Sequence, residues 1–391
     1  MNRRQAFKTA FSTVAAVSAL YPERLLSQQP EAKHTASEMK TLHLNPATGR
    51  DTNSGAKDKP IRTLGEAARR VNQSSETGAM TLILSEGVYP ITEPIVLKGA
   101  GRSFSKTERL TLRAEILPDD PEWNTGRMPT LIHAMSPDGT WNGRRDPLGG
   151  AVNGMQVETS HVTIRGLKIL GMPVIETPKA DLKRRLYGIA RLGSLDDLEV
   201  AQCLFLSDQA IASMHVGIIA RGTGVNIHHC IFHGYTKDAV VYWEGRSTGH
   251  AMRNCIFHGM YGSTVWASGI ADDFDYRNNV VDSCNYVWIY QGIASARTDE
   301  AGGRATLSGK TKTENRYKAV NSLFAHNKKL AGTGTGARIE FKDIDPAFLE
   351  MVGTKVTAEP VAFEHDPIQR NYLHPVANSE ASKIGAGLFL K

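Results

Sequence analysis

The apolar positions in the middle of the chain fall into short alternating runs that recur. Val225-Asn-Ile-His-His-Cys230-Ile-Phe232 is echoed by His250-Ala-Met-Arg-Asn-Cys255-Ile-Phe257 and by Phe274-Asp-Tyr-Arg-Asn-Asn279-Val-Val281. Val162–Ile169 and Leu198–Phe205 precede this set, and Tyr317–Phe324 follows it. The equivalent positions are 167, 203, 230, 255, 279 and 322. The inner steps are thus 27, 25 and 24 residues, while outer steps of 36 and 43 carry insertions. Each unit holds a further apolar run that ends at a glycine: Tyr187–Leu192, Gly217–Arg221, Val240–Glu244, Thr264–Ser268 and Tyr286–Gln291. Period-2 runs rich in Val, Ile, Tyr and Trp are strands. Three short strands per unit at a steady step predict a coiled β solenoid. One coil cannot bury its own apolar side, so the coils must stack, with equivalent residues about 4.8 Å apart.

Ahead of the repeats, Thr63–Val71 places Leu64, Ala67, Ala68 and Val71 on one helical face. An amphipathic helix there would cover the open edge of the first coil. Asn45-Pro-Ala-Thr-Gly49, Asp51, Asn53-Ser-Gly55 and Lys59–Ala67 resemble the opening of secreted right-handed parallel β-helix proteins of the pectate-lyase-like superfamily. Leu82–Tyr89 fits the same pattern, as do Asp345–Phe348, Asn371–Leu373 and Ser379–Gly387. The resemblance covers residues 41–391. It implies an all-β right-handed parallel β-helix and, since that superfamily holds lyases, hydrolases, epimerases and binders, a polysaccharide ligand more than any one reaction. The polygalacturonase set is out of order: Asp272-Asp273 follows Gly249-His250, and Ala251 stands where a second glycine would be.

Residues 1–19 have the layout of a signal peptide, with Arg3 and Arg4 before a short apolar stretch, Ala10–Leu20, and Val17-Ser-Ala19 as a cleavage site. The paired arginines suggest the twin-arginine route to the periplasm or exterior of a bacterium. Residues 20–40 read as a linker, and 41–391 as a single solenoid domain, expected to be monomeric. No apolar run reaches the length of a membrane span. Four cysteines in 391 residues exclude a disulfide scaffold. Cys203, Cys230 and Cys255 share one column, continued by Asn279 and Ser322, and read as buried thiols at a tight turn; Cys284 stands alone.

Alignment on Gly222, Gly245, Gly269 and Gly292 gives two columns that period 2 places on one face: Arg221, Glu244, Ser268, Gln291, and Ile219, Tyr242, Trp266, Ile289. Such a face suits a sugar chain, with aromatics under pyranose rings and polar groups on hydroxyls and carboxylates. The opposite phase would turn Tyr242 and Trp266 into the core. A second column holds His233, His258 and Asp282, an acid/base pair or metal ligands if it is more than a turn. Tyr235, Lys237, Asp238 and Tyr261 lie between the two columns. β-Elimination needs a neutralised uronate carboxylate and a base, for which Arg221, Lys237, His233 and Tyr242 are candidates. Hydrolysis needs two carboxyl groups, and Asp238 with Glu244 is the available pair. A non-catalytic glycan binder remains the other class. Asp272, Asp273 and Asp275 form either a Ca2+ site or a solvated acidic turn.

Charge sharpens this picture. The net charge of +6 includes Arg3, Arg4 and Lys8 of the leader. Residues 172–191 carry five basic groups against two acidic ones, Arg184 and Arg185 among them. Residues 292–318 carry six against three, including Arg297. Two basic insertions on a slightly acidic solenoid favour an anionic polysaccharide and give no footprint for nucleic acid.

Overall fold

A computed structural model describes residues 40–99, 101, 103–134, 140–141, 144–145, 151–173, 185–210, 212–243, 247–268, 270–291, 316–335 and 338–390. The leader, Arg184, Glu244 and Arg297 lie outside them, as do the side chains of Arg185 and Gln291. Among the described residues the chain winds through three long parallel sheets. One coil shows the plan: Val225–His228 lies in the first sheet, Ile231–Gly234 in the second and Thr236–Tyr242 in the third. Each strand pairs in parallel with its equivalents one coil before and one coil after. This is a parallel β-helix. The third sheet ends on an antiparallel partner, Arg338–Asp343 against Lys329–Thr335.

Alternation decides what fills the coil. In the first sheet Val225 and Ile227 point in, while Asn226 and His228 are half-exposed. Equivalent inward residues stack from coil to coil. The Phe205 and Phe232 rings lie 4.4 Å apart, and Phe232 and Phe257 5.2 Å apart, stacked and close to parallel. The helix Leu64–Gln73 starts on a Thr63 cap whose hydroxyl accepts from the Glu66 N–H. It buries Leu64, Ala67, Ala68 and Val71 in the same core and touches the first strand of each sheet. No helix among the described residues is long and apolar enough to cross a membrane.

From Val162 onward, the corner between the first and second sheets follows one backbone plan. One residue takes a left-handed conformation: Gly166, Gln202, His229, Asn254, Asn278 or Asn321. The next is small and buried. Cys203, Cys230 and Cys255 donate their S–H to the carbonyl two residues earlier, as Ser322 does with its hydroxyl. Asn279 fills the same place differently: its Oδ1 accepts from the Cys255 N–H at 2.9 Å and its Nδ2 donates to Met252 O at 3.0 Å. Cys284 is not an isolated case. Asp282-Ser283-Cys284 repeats the motif at the following corner, with Ser283 left-handed and the thiol on Asp282 O. Burial pushes its thiol up to about 12, and those of Cys203 and Cys230 well above the ordinary range, so these thiols stay protonated.

Asn279→Ala strands a buried N–H and a buried C=O, and should cost about 1–3 kcal/mol in denaturant unfolding. Asn279→Ser, the residue used one coil later, should recover most of that. An alanine variant as stable as the parent would refute the corner's role.

Candidate functional site

Each sheet has an outward side, and the three differ. Outside the second sheet lie Leu204, Ile231, Ile256, Val280 and Leu323, and the C-terminal segment covers them with Phe363, Leu373, Ala381 and Leu388. Outside the first sheet, charged side chains largely satisfy one another. Arg109 contacts Asp197, which also accepts from His161, and Thr163 donates to Glu199, which faces His228. Among the described residues, the third sheet carries on its outward side an ion pair buried on both partners and set against an aromatic ring. The two basic insertions also join the chain at its strands Arg185–Arg191 and Tyr286–Gln291.

The register of that sheet fixes its columns. Tyr187, Val216, Asp238, Ser263 and Tyr286 pair in one row, and Ala190, Ile219, Val241, Trp266 and Ile289 in another. Both rows face outward; apart from Asp238, Ser263 and half-buried Tyr286, their members make one buried apolar cluster. Between the rows each coil turns two successive residues inward, as Ala239 and Val240 do in the core. A third outward row holds the half-buried Leu192, Arg221 and Trp243.

Lys237 and Asp238 are buried on this side, Lys237 at 5% and Asp238 at 1% exposure. Lys237 Nζ lies 3.0 Å from Asp238 Oδ2 and 4.7 Å from the centre of the Trp266 ring. Asp238 Oδ1 accepts from the Ser263 N–H at 3.0 Å and from its hydroxyl at 2.7 Å. Trp243 reaches over to Trp266, 6.2 Å between ring centres. At the rim Tyr235 and Tyr261 stack at 4.2 Å. Arg221 shares a row with Trp243, its Nε buried and without a hydrogen-bond partner among the described residues. The patch therefore offers two cations, one carboxylate and a run of aromatic rings.

Several expected site residues are placed elsewhere. Tyr242 points inward, 1% exposed, against Phe274 and His250. The row read as Ile219, Tyr242, Trp266, Ile289 contains Val241 in that coil, and Trp243 takes the place assigned to Glu244. A one-residue slip turns a strand's outward set inward. The slip arose because the turn back to the first sheet varies in length. It spans Ala220 to Val225 in one coil and Tyr242 to His250 in the next, so its glycine marks no constant position. Trp266 does face outward, but at 2% exposure it is covered rather than open to stacking.

His233 and His258 stack at 4.7 Å, and His258 Nδ1 donates to Asp282 at 2.8 Å. They stand outside the second sheet, where Phe363 lies against His258 and the Val361 N–H donates to Asp282. They hold down the C-terminal segment and do not meet Arg221 or Lys237. Asp275 is clamped between Arg253 and Arg277, and Asp273 accepts from the Gly249 N–H, so these two carboxylates are committed to internal bonds. Among the described residues no three His, Cys, Asp or Glu side chains converge as metal ligands. Ser263 was missed by the sequence reading, which weighed Trp243 only as a rival of Tyr242 and Trp266 for this face. Ser263 becomes legible only once Asp238 is known to be buried beside it.

No family model matches the chain, and no curated protein matches it. Solved structures do. A rhamnogalacturonan lyase aligns at 13% identity over 90% of this chain and 100% of its own, with a TM-score of 0.40. A pectin methylesterase from Erwinia chrysanthemi aligns at 9% identity over 82% and 90%, with a TM-score of 0.45. Another from Aspergillus niger aligns at 12% over 89% and 96%, with a TM-score of 0.39.

Burial also sets how the solenoid responds to acid. It holds the imidazoles of His133, His229, His233 and His374 down at about 4, and that of His250 at about 3. The unfolded chain, titrating near 6.5, binds more protons across that window. Stability should therefore be complete above about pH 6.5 and fall as pH drops towards 4. Denaturation midpoints measured from pH 7.5 to 4 should decline steadily; a flat profile would contradict the buried, neutral histidines.

Proposed function

We propose that the chain binds an acidic polysaccharide on the outward side of the third sheet and cleaves it by β-elimination. The observation that carries this reading is the buried Lys237–Asp238 pair against Trp266. Burying two charges costs several kcal/mol per ion, and apolar residues of similar size usually hold a fold as well. A desolvated ion pair beside aromatic rings is better explained by chemistry than by stability. Arg221 and Trp243, half-buried at the edge, receive the sugar: the guanidinium takes a uronate carboxylate and the indole a pyranose face. The basic insertions that flank this sheet suit the same polyanion.

In the reaction, Lys237 hands one proton to Asp238 and uses the freed electron pair to take the proton from C5 of the uronate. The C5–H electrons form the C4–C5 double bond, the C4–O bond breaks, and the departing oxygen takes a proton from solvent. Arg221 neutralises the carboxylate as charge builds on it. Lys237 is closed off from water, so substrate entry must uncover it.

Pectate, alginate and glycosaminoglycans should be tested for the ultraviolet absorbance of an unsaturated product. Arg221→Gln should lower kcat/KM at least tenfold with the melting midpoint unchanged. New reducing ends without that absorbance would replace elimination with hydrolysis. Binding with neither would leave a glycan-binding protein, and no binding would end the polysaccharide reading.

A further inference from the structure

We propose that His228 and His229 form a two-imidazole site for a borderline divalent transition metal, with Cu2+ bound most tightly. The two residues lie at the corner leaving the first sheet, away from the third-sheet patch. Their Nδ1 atoms share an N–H···N hydrogen bond of 3.0 Å, whose proton a metal ion would displace, and their rings are nearly perpendicular, at 88°. Two nitrogens each about 2.0–2.1 Å from one metal ion lie roughly 2.8–3.4 Å from each other, so the pair already has the spacing of adjacent ligands.

The remainder of the arrangement supports a ligand role. The other nitrogen of His228, Nε2, lies 3.1 Å from Glu199 Oε1, and the second oxygen of Glu199 accepts from the Thr163 hydroxyl at 2.9 Å. A carboxylate on one ring nitrogen fixes the proton there and leaves the lone pair on the other, as at most protein imidazole ligands. His229 is held by the left-handed corner, with φ of 51°. Asp119 and Arg165 lie near it and offset one another. Only two protein donors meet here, so water completes the coordination. Imidazole suits Cu2+, Ni2+ and Zn2+, and Cu2+ leads that order of affinity.

The test is titration of the full chain with Cu2+, read by electron paramagnetic resonance and by competition for the ion. The parent should bind one Cu2+ with two imidazole nitrogens. His229→Asn preserves the corner, since Asn254, Asn278 and Asn321 occupy equivalent positions. That variant and His228→Gln should each lose one nitrogen from the spectrum and bind at least tenfold more weakly. Glu199→Gln should weaken binding about tenfold while keeping both nitrogens. The melting midpoint without metal reports whether each variant folds. If one does not, the parent spectrum and Glu199→Gln still decide. A parent spectrum with fewer than two nitrogens would overturn the proposal, as would folded histidine variants with unchanged spectrum and affinity.

Discussion

Everything in this protein depends on where each coil turns the corner from the first sheet to the second. A left-handed residue followed by a small buried donor lets the backbone reverse direction within two positions. The donor adds a second bond to a carbonyl that already accepts the backbone N–H of the preceding coil's left-handed residue. From Val162 onward this corner has constant length, and the parallel strands of successive coils stay in register there. Register in turn sets which side chains fill the interior and which face out. Cysteine, serine and asparagine all serve the corner, which explains why the thiols are buried and form no disulfide.

The three outward sides then divide the work. The second is closed by the chain's own C-terminal segment, anchored through Asp282 and the Phe363–His258 contact. The first is a mesh of ion pairs and hydrogen bonds, with the His228–His229 pair at its border. The third carries the buried Lys237–Asp238 pair, its aromatic neighbours, and the exits to both basic insertions. That pair, buried on both partners, separates the third side from the other two.

The fold was legible because the corner leaves its mark in the sequence. Val-x-Ile followed by Cys-x-Phe records two strands and the two-residue turn between them. The corner at Ser283 and His326 was harder to see, since Asp-Ser-Cys and His-Asn share the motif's geometry without its letters. The site was legible in part. Lys237, Asp238, Arg221 and Trp266 were singled out as candidates and fall on one patch, whereas Tyr242 was assigned to the wrong side. The cause is physical: the return turn to the first sheet varies in length, and two consecutive residues of each third-sheet strand face inward. A period of 2 counted from the glycine therefore drifts. The histidine column was read with the correct spacing, but sequence could not show that the C-terminal segment folds back over it.

The central claim is that the Lys237–Asp238 pair exists for chemistry and not for the fold. The most direct measurement is the unfolding free energy and polyuronate cleavage of the neutral, nearly isosteric double variant Lys237→Met/Asp238→Asn, in which the Asn oxygen can still accept from Ser263. Stability should stay within about 1 kcal/mol of the parent, or rise, while cleavage is lost. A double variant destabilised by about 3 kcal/mol or more, or one that still cleaves, would contradict the account.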